Sequence, residues 1–527
     1  MPEFSARVLA AVALTGLFSG AAAQEKPPNV IFFLVDDLGW RDVGCFGSPF
    51  YETPNIDQFA REGVRFTSAY AACHVCSPTR ASILTGKYPA RLGLTDWISG
   101  RRNFQFQMLK NVRGLQQLPT KEVTLAETLK AAGYRTAAIG KWHLGRKPSD
   151  PSAHGFDQHV PHDWSRGAPN RTYTSPYRLK GLEGPKGEYL TDRLTDEAEK
   201  FIEANKDRPF FLYFAHFAVH DPIQGREDLV EKYKKKLAGT EASDGLPFIL
   251  EGNPDAETPL SRSDLTARLD RKAFAGYRVL PEGTVKIKQR QDNVHFAGMV
   301  EAVDQSLGRV LAKLKQLELD RNTIVIFFSD NGGMSGANFG GPKRVIPPKR
   351  LDRAFSTSNL PLRGAKGWLY EGGIRVPLIV KWPKSGKPGT VCDQPVISTD
   401  FYPSILEMVG LPQRPEQHMD GESIAPLVKG GKEIARKAIY WHFPHYSNHG
   451  MQSPGGAVRM GDYKLLEYFE RDTVQLFNLR DDLGEQHDLS RTQPKKAAEL
   501  RKILRAWRAS VSAKMPTANP NYVPPGK

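Results

Sequence analysis

The sequence predicts an α/β domain, built on a sheet with helices on both faces, followed by a smaller C-terminal domain. Short apolar runs rich in β-branched and aromatic residues recur along the chain, at 29–35, 134–139, 210–215 and 323–328. Runs of this length and composition are typical of strands that are buried on both faces. Helical patterns precede the later three runs, at 125–132, 192–204 and 297–317. This alternation predicts helices packed against the sheet.

The smaller domain is expected at residues 416–515, after an N-terminal domain at 24–415. Short apolar segments separated by turn residues predict a small antiparallel sheet there, at 438–443, 457–460, 463–468 and 474–479. A helix should follow at 495–512, where apolar residues recur at helical spacing. The final residues, 516–527, are rich in Pro and Asn and are expected to form a loose tail.

The first 23 residues have the pattern of a signal peptide. Arg7 supplies a positive charge, residues 8–20 are an apolar run, and three alanines at 21–23 form a small-residue cleavage site. The run is too short to span a bilayer, and no later segment approaches the roughly 20 apolar residues that a spanning helix needs. We therefore expect an exported protein, periplasmic or secreted, without stable membrane insertion.

The charge and cysteine content narrow the classes of partner. A formal net charge of +15 suits an anionic partner, whether nucleic acid, lipid or substrate. The sequence has no basic arm and no RNP-type motif, so no nucleic-acid partner is expected. Four cysteines in 527 residues are too few for a disulfide scaffold.

Polar residues stand directly after the predicted strands. Asp36 and Asp37 follow the first run, and Asp330 and Asn331 come just after the last. Because α/β sheets bind ligands beyond the carboxyl ends of their strands, we expect these side chains to converge. Hard oxygen ligands of this kind suit Ca²⁺ or Mg²⁺, which favours a metal site. The alternative is that the residues only cap turns, where Asp and Asn are common.

Two cysteines, Cys73 and Cys76, stand three residues apart. Such a pair is compatible with a redox dithiol or with a structural cysteine in a packed turn. A third interpretation makes Cys76 reactive. Ser77 and Pro78 resemble the N-cap and first residue of a helix, so Cys76 would precede a helix N-terminus, which favours an anion. Arg80, about one turn later, would make its thiol more acidic. The local sequence leaves these interpretations open.

Four basic residues complete the set of candidates. Lys141 and His143 follow the second predicted strand, and His220 follows the third. Lys366 lies in a Gly-rich stretch at 362–377, where glycines permit close approach of the backbone. A lone histidine is more often packed or exposed than catalytic, so these residues gain weight only because they are expected to converge on the metal site.

Together these residues resemble the type I sulfatases, the formylglycine-dependent family within the alkaline-phosphatase-like superfamily. The motifs that carry the resemblance are V-D-D-L-G at 35–39, C-S-P-T-R-A-S-I-L-T-G-K at 76–87, G-K-W-H-L-G at 140–145, S-D-N-G-G at 329–333, the Gly-rich block at 362–377 and L-F-N-L-R-D-D-L-G-E-Q-H-D-L at 476–489. Thr79 stands where many members have Ser, a variation that the motif permits. The resemblance implies a large mixed sheet sandwiched by helices.

The resemblance also implies a reaction, hydrolysis of a sulfuric ester. In this family the cysteine of Cys-x-Pro-x-Arg is oxidised by a formylglycine-generating enzyme to formylglycine (3-oxoalanine), whose hydrate attacks sulfur. By that match Cys76 becomes the nucleophile, and one Ca²⁺ would be held by Asp36, Asp37, Asp330, Asn331 and residue 76 itself.

The remaining basic residues receive roles by the same match. His220 and Lys366 would protonate the leaving oxygen. His143 would remove the proton of the second hydroxyl on residue 76, which regenerates the aldehyde and releases sulfate. Lys141 and Arg80 would hold the charges of the site together.

The substrate is expected to be a sulfated carbohydrate, of the galactose or N-acetylgalactosamine type by analogy with the family. The stretch 442–459 could reach over the cleft and offer sugar-binding groups, at His442, His445, His449 and Arg459. An ordinary surface loop is the alternative for this stretch. Two other functions stay open: a phosphonate monoester or phosphodiester hydrolase, and a sulfated-glycan binder without activity if Cys76 is unmodified.

Overall fold

The computed structural model of the chain describes residues 26–162, 169, 172–240, 247–256, 259, 264, 277–278, 285–336, 345–346, 355–447, 449 and 452–524. The predicted signal peptide at 1–23 lies outside these residues. Within them, no helix combines the length and the apolar character needed to cross a membrane.

Strands are distributed along the whole described chain. In chain order they are Asn29–Val35 (β1), Val64–Phe66 (β2), Ala69–Tyr70 (β3), Leu109–Lys110 (β4), Arg135–Gly140 (β5), Gln158–Val160 (β6), Phe210–Ala215 (β7), Phe248–Glu251 (β8), Tyr277–Arg278 (β9), Val285–Lys288 (β10), Thr323–Ser329 (β11), Val345–Ile346 (β12), Leu378–Lys381 (β13), Thr390–Cys392 (β14), Val396–Ile397 (β15), Ala438–Phe443 (β16), Gly455–Met460 (β17), Tyr463–Tyr468 (β18), Val474–Asn478 (β19) and Thr517–Ala518 (β20).

The α-helices alternate with these strands. They are Pro54–Glu62 (α1), Cys76–Thr85 (α2), Pro89–Leu92 (α3), Leu125–Ala131 (α4), Leu190–Ala204 (α5), Glu227–Ala238 (α6), Val294–Gln316 (α7), Glu371–Ile374 (α8), Phe401–Met408 (α9), Ala425–Val428 (α10) and Pro494–Ser510 (α11). Short 3₁₀ helices lie at Gly44–Phe46, Pro151–His154, Asp320–Asn322 and Ser398–Asp400.

Eight strands form one large sheet, in the order β14-β2-β13-β11-β1-β7-β5-β6. The central strands β11, β1, β7 and β5 run parallel to one another, whereas β13 is antiparallel to both of its neighbours. The sheet is therefore mixed, as expected, and the carboxyl ends of its four central strands meet at one edge.

Strand β1 explains why an uninterrupted apolar run is needed at the centre of this sheet. Ile31, Phe33 and Val35 point into a core that includes α1, α5 and α7. The alternate residues, Phe32 and Leu34 among them, point into a second core with α2, α4 and α9. Because successive side chains of a strand face opposite sides, burial by two helix layers makes every position apolar.

The C-terminal part carries a four-stranded antiparallel sheet, β16-β17-β18-β19, covered by α11. It packs directly against the large domain: the Trp441 indole Nε1 donates to the Ala71 carbonyl at 2.8 Å. The predicted loose tail differs from the structure, since β20 pairs with β4 and Asn519 donates to the carbonyls of Phe104 and Gln107. Backbone pairing therefore anchors the tail, which a Pro- and Asn-rich composition could not reveal.

Candidate active site

The acidic residues that follow β1 and β11 meet at the carboxyl edge of the sheet. The Asp37 N–H donates to Asp330 Oδ1 at 3.3 Å, and Asn331 Nδ2 donates to Asp37 Oδ1 at 2.8 Å. Their strands are hydrogen-bonded neighbours with Val35 opposite Ser329, so the next residues are adjacent. The structure thus brings all four predicted metal-ligating side chains of these strands together.

Buried positive charges surround the carboxylates. Lys141 Nζ contacts Asp36, while Lys366 Nζ lies 2.6 and 2.8 Å from the two carboxylate oxygens of Asp37. Arg80 Nε donates to Asp330 Oδ2 at 2.8 Å. We call these six charged residues the catalytic cluster: Asp36, Asp37, Asp330, Arg80, Lys141 and Lys366. None is more than 2% exposed.

The cluster has the donors that a hard divalent cation requires. Ligand atoms of Asp36, Asp37 and His220 lie within 4.8 Å of one another. Asp36 Oδ1 and Asn331 Oδ1 are buried without a hydrogen-bond partner among the described residues. Burial and the Asp330 carboxylate raise the pKa of Asp36 well above its usual range, because like charges are crowded there. Unsatisfied oxygens and crowded carboxylates both fit a bound cation such as Ca²⁺.

Cys76 is the first residue of α2, where backbone N–H groups lack helical partners. Val75, rather than the expected Ser77, is the N-cap. The Ser77 hydroxyl instead donates to the His143 carbonyl at 2.8 Å and accepts from the Ile98 N–H at 3.2 Å. Ser77 therefore ties the helix start to the segment that carries His143, and all four cysteines of the chain are free thiols.

His143 faces Cys76 in a defined protonation state. Its Nε2 lies 2.6 Å from the Ile98 carbonyl, which can only accept, so Nε2 carries the proton. Nδ1 lies 3.2 Å from Cys76 Sγ and is left as the acceptor. Burial and the nearby Lys141 ammonium lower the pKa of His143 well below its ordinary value. The ring is therefore neutral, with Nδ1 available to accept a hydrogen bond from the group at residue 76.

Arg80 joins the parts of the site. Its Nη1 donates to the Lys141 carbonyl at 2.7 Å, and its side chain is fully buried. Nη2 lies 3.7 Å from Asp36 Oδ2 and has no hydrogen-bond partner in the described part of the chain. A buried guanidinium with a free N–H is suited to bind an anion.

His220 is a charged histidine, in contrast to His143. Its Nδ1 donates to the Asp221 carbonyl at 2.8 Å and lies 2.9 Å from Asp221 Oδ1, and its Nε2 lies 3.8 Å from Asp37 Oδ2. Although burial and Lys366 lower it, these two carboxylates raise the pKa of His220 to about 9. The sequence analysis missed Asp221, and the signal available was its position directly after His220, where a carboxylate can orient the ring.

Two site residues have strained backbones. Asp37 has a φ of 61° and His143 has a φ of 55°. Both lie in the left-handed region, which residues other than glycine rarely adopt. Such conformations are concentrated at functional sites, where surrounding contacts hold them. Gly140 serves a related purpose: a Cβ there would lie 1.9 Å from the Ala215 carbonyl, so only glycine lets the end of β5 approach β7.

The four residues predicted to bind sugar separate in the structure. His449 lies at the site, with Lys366, Asp37, Asp221 and His220 as its electrostatic neighbours. A Cβ on Gly367 would lie 2.5 Å from His449 Cβ, so this glycine admits the histidine beside Lys366. His445 lies deeper, where Nε2 is 2.8 Å from the Thr95 hydroxyl.

His442 and Arg459 do not reach the site, which corrects the expectation for them. His442 Nε2 donates to the Lys514 carbonyl at 2.9 Å, and the Arg459 guanidinium contacts the Tyr70 hydroxyl. Both lie inside paired strands, β16 and β17, rather than in a loop. Strand pleating therefore directs these side chains into protein, away from the cleft.

A family model described as Sulfatase matches residues 28–411. The chain belongs to the sulfatase family. A second model, described as the C-terminal part of N-sulphoglucosamine sulphohydrolase, matches residues 365–510 of this sulfatase. Its C-terminal sheet and helix, like its large mixed sheet, are thus family features.

Individual relatives agree with this assignment. The sulfatase is 30% identical to a protein named "Sulfatase" from Formosa agariphila, over 96% of this chain and 94% of that protein. It is 32% identical to N-acetylgalactosamine-6-sulfatase of Canis lupus familiaris, over 82% of this chain and 72% of the relative. The crystal structure of Ps i-CgsB in complex with k-i-k-neocarrahexaose superposes with a TM-score of 0.68 at 27% identity, covering 92% and 93% of the two chains. The protein is a sulfuric ester hydrolase.

Proposed function

We propose that this sulfatase is exported and removes sulfate from sulfated carbohydrates, with a nucleophile made from Cys76. One observation carries the proposal: Cys76 Sγ lies at the start of α2, 3.2 Å from the unprotonated nitrogen of a neutral histidine. Relatives that act on N-acetylgalactosamine 6-sulfate or bind a carrageenan oligosaccharide support a carbohydrate substrate. The net charge of +15 suits an anionic substrate.

Two groups complete the chemistry. Oxidation of Cys76 to formylglycine, by a formylglycine-generating enzyme, would supply a hydrated aldehyde as the oxygen nucleophile. Asp36, Asp37, Asp330, Asn331 and residue 76 would hold Ca²⁺, which would supply positive charge for the sulfate oxygens. The free oxygens of Asp36 and Asn331 support this ligand set.

The protein's own cations would bind the sulfate. Arg80 Nη2 is free to donate, and α2 begins at Cys76 without a side-chain cap, so its first N–H groups can also accommodate an anion beside residue 76. Since Arg80 and Lys141 are fully buried, their charges act in a medium of low polarity and need no reorganisation. The sulfuryl group would therefore be positioned next to residue 76.

Proton transfers would be divided between two histidines in opposite charge states. His143, neutral and with Nδ1 free, would accept the proton of the hydroxyl that remains on residue 76 after transfer. His220 is protonated at neutral pH and would donate to the leaving oxygen, with Lys366 beside it. Asp221 would fix the orientation of His220 through its backbone carbonyl, which accepts from Nδ1 at 2.8 Å, while its carboxylate would stabilise the charged ring.

His449 would contact the sugar on the leaving-group side. Its two ring nitrogens are buried and have no hydrogen-bond partner among the residues described. It lies beside Lys366 and His220, where the carbohydrate hydroxyls must lie if these residues protonate the leaving oxygen. A sugar hydroxyl would satisfy one of those nitrogens.

The proposal is tested by comparing esters of one alcohol. We expect 4-methylumbelliferyl sulfate to be hydrolysed with a kcat/KM about a hundredfold above that of the matching phosphonate monoester, because the phosphonate bears the same single charge but has a carbon substituent in place of one of the terminal oxygens that the buried cations would bind. A preference for the phosphonate would contradict the sulfatase proposal in favour of the related hydrolases. A panel of sulfated galactose and N-acetylgalactosamine oligosaccharides should also release free sulfate. If the enzyme hydrolyses the aryl sulfate but none of the sulfated sugars, the carbohydrate substrate is contradicted and the sulfatase activity is not.

A further inference from the structure

A buried arginine outside the catalytic cluster is left with free hydrogen-bond donors. Arg101 is 9% exposed, and its Nη1 donates to the Ser447 carbonyl at 2.6 Å. Its Nε and Nη2 are buried without a hydrogen-bond partner in the described residues. Burial lowers the pKa of Arg101 to about 10, so the group is still charged at neutral pH. A buried guanidinium with unpaired donors costs folding free energy unless an anion accepts hydrogen bonds from it.

The neighbouring carboxylate of Asp96 does not accept a hydrogen bond from the Arg101 guanidinium. Asp96 uses one oxygen to accept from the Trp97 N–H at 2.8 Å and the other to accept from the backbone N–H of Arg101 at 3.2 Å. Among the described residues, no carboxylate oxygen lies within 4 Å of the Arg101 guanidinium. Two enclosed donors of Arg101, Nε and Nη2, are therefore left without a partner among these residues.

Arg101 lies between two segments that both reach the site. On one side, Ile98 holds His143 Nε2 at 2.6 Å through its carbonyl and contacts Ser77 through its N–H. On the other side, the Ser447 hydroxyl accepts from the His449 N–H at 3.1 Å. Asp96, which accepts from the Arg101 backbone, is also an electrostatic neighbour of Cys76. Arg101 therefore lies between the segment that carries the histidine facing residue 76 and the segment that carries the histidine proposed to contact the sugar.

The loop that carries Arg101 is firmly held. The Phe104 ring stacks on the guanidinium, with 5.0 Å between Arg101 Cζ and the ring centroid. The C-terminal tail fixes Phe104 in turn, because Asn519 Nδ2 donates to its carbonyl at 3.1 Å and Val523 N donates to Gln105 O at 2.8 Å. A preorganised cation of this kind loses little entropy when it binds an anion.

We propose that Arg101 is a specificity-determining residue that binds a second anionic group of the substrate, a sulfate or carboxylate on the same or the adjoining sugar. The inference rests on the proposed function, since it assigns to the carbohydrate a second negative charge besides the sulfate that is removed. Nε and Nη2 of a guanidinium form a fork that matches two oxygens of either group. The substrate class is thus a saccharide that carries at least two anions.

The test compares substrates with one and two anions. N-acetylgalactosamine 6-sulfate carries one, N-acetylgalactosamine 4,6-disulfate carries two sulfates, and the 6-sulfated chondroitin disaccharide adds a carboxylate. Each sugar is assayed as a substrate and as a competitive inhibitor of 4-methylumbelliferyl sulfate hydrolysis. We expect Arg101→Gln to raise KM or Ki for the two-anion sugars about 10- to 100-fold, the range for hydrogen bonds to charged groups. Arg101→Lys should restore part of the affinity.

Arg102→Gln is the matched control. Arg102 also stacks on Phe104, at 4.9 Å, but it is exposed, so its loss should change none of these constants more than about twofold. Hydrolysis of 4-methylumbelliferyl sulfate, which has no second anion, should persist in Arg101→Gln and report that the variant is folded.

Two results would overturn the inference. The first is a wild-type enzyme that binds one-anion and two-anion sugars equally. The second is an Arg101→Gln variant that loses the same factor on every substrate, including the aryl sulfate. A response to only one of the two-anion sugars would identify the second group as sulfate or carboxylate. Absence of any sulfate ester hydrolysis by the wild type would instead contradict the proposed function.

Discussion

The molecule contains two buried groups of opposite charges that differ in how completely they are paired. One is the catalytic cluster at the edge of the large sheet. The other, which we call the interdomain cluster, joins the Gly-rich block and β3 to the C-terminal sheet, through Tyr70, Glu371, Arg375, Arg459, Lys464 and Glu485. Lys464 and both glutamates are as inaccessible to water as Arg80 and Asp36.

In the interdomain cluster every charge has an opposite charge or a hydroxyl beside it, although Glu485 Oε1 makes only an ionic contact and no hydrogen bond among the described residues. Lys464 Nζ lies 2.9 Å from an oxygen of each glutamate, and Glu371 also accepts from the Tyr70 hydroxyl at 2.7 Å. In the catalytic cluster, by contrast, Asp36 Oδ1, Asn331 Oδ1 and Arg80 Nη2 have no hydrogen-bond partner among described residues. Buried polar groups are nearly always paired in native proteins, so unpaired ones indicate where a ligand binds. The comparison separates charges that hold the fold from charges proposed to serve the reaction.

The largest expected effect is a loss of activity without a loss of stability, caused by a substitution at residue 76. Cys76→Ala removes the proposed nucleophile, and we expect the rate of sulfate release to fall roughly 10⁴-fold or more, as when a member of a coupled catalytic unit is removed. The melting temperature should change little, because the thiol is not part of the ionic network. Steady-state kinetics and thermal unfolding measure the two effects.

Cys73→Ala is the control for that experiment. Cys73 is buried like Cys76, and burial raises the pKa of its thiol. We expect its loss to leave kcat within about threefold, as for other substitutions that touch no reacting group. A large loss with Cys73→Ala would favour the redox dithiol over the proposed mechanism.

Removal of the cation tests the unpaired oxygens. Prolonged dialysis against a chelator should lower kcat by about two orders of magnitude, because a bound cation stabilises several kcal/mol of developing charge. Added Ca²⁺ should restore kcat and raise the melting temperature, since a ligand that binds the folded state stabilises it. Full activity in metal-free protein, verified by elemental analysis, would contradict the proposed ligand set.

Lys464→Met should lower the stability of the protein and leave its activity unchanged. It leaves Glu371 and Glu485 buried without their shared ammonium, and removal of one partner from a buried ion pair costs about 3–5 kcal/mol of unfolding free energy. The kcat of the folded fraction should be unchanged, since no reacting group is touched. Lys496→Met, at an exposed pair with Glu499, should cost less than about 1 kcal/mol. Equal losses in the two variants, measured by denaturant unfolding, would contradict the account of the interdomain cluster.

The smallest effect concerns pH. Burial raises the pKa of Glu485 to about 7, with Glu371 adding to the rise and Lys464 opposing it. Because the folded state favours the protonated carboxyl, the stability from Glu485 is present below its unfolded pKa and is lost as pH rises towards 7. We therefore expect the unfolding free energy of the wild type to fall by about 2 kcal/mol, relative to that of Glu485→Gln, between pH 5 and pH 8. A difference between the two proteins that is independent of pH would contradict this assignment.

The central strands could be predicted from sequence because their environment dictates their composition. Two helix layers bury both faces of β1, so every position from Asn29 to Val35 is enclosed and the predicted bounds agree with the observed ones. The convergence of Asp36, Asp37, Asp330 and Asn331 follows from the parallel topology, which alternation of strands and helices also predicts. The role expected of each residue came from the resemblance to sulfatases.

Features that depend on long-range contacts could not be predicted. The Ser77 hydroxyl binds His143 and Ile98, distant in sequence, rather than capping its own helix. His442 and Arg459 fall in segments that the sequence predicts as strands, but which face of the sheet each side chain takes depends on the pleat and on the neighbours of those strands. The unpaired donors of Arg101 appear only when every neighbour is known.

The state of residue 76 tests the account most directly. Mass spectrometry of the peptide that contains it, from protein matured with a formylglycine-generating enzyme, should reveal an aldehyde in place of the thiol, in a fraction proportional to specific activity. An intact thiol, or a Cys73–Cys76 disulfide, in fully active protein would contradict the proposed nucleophile.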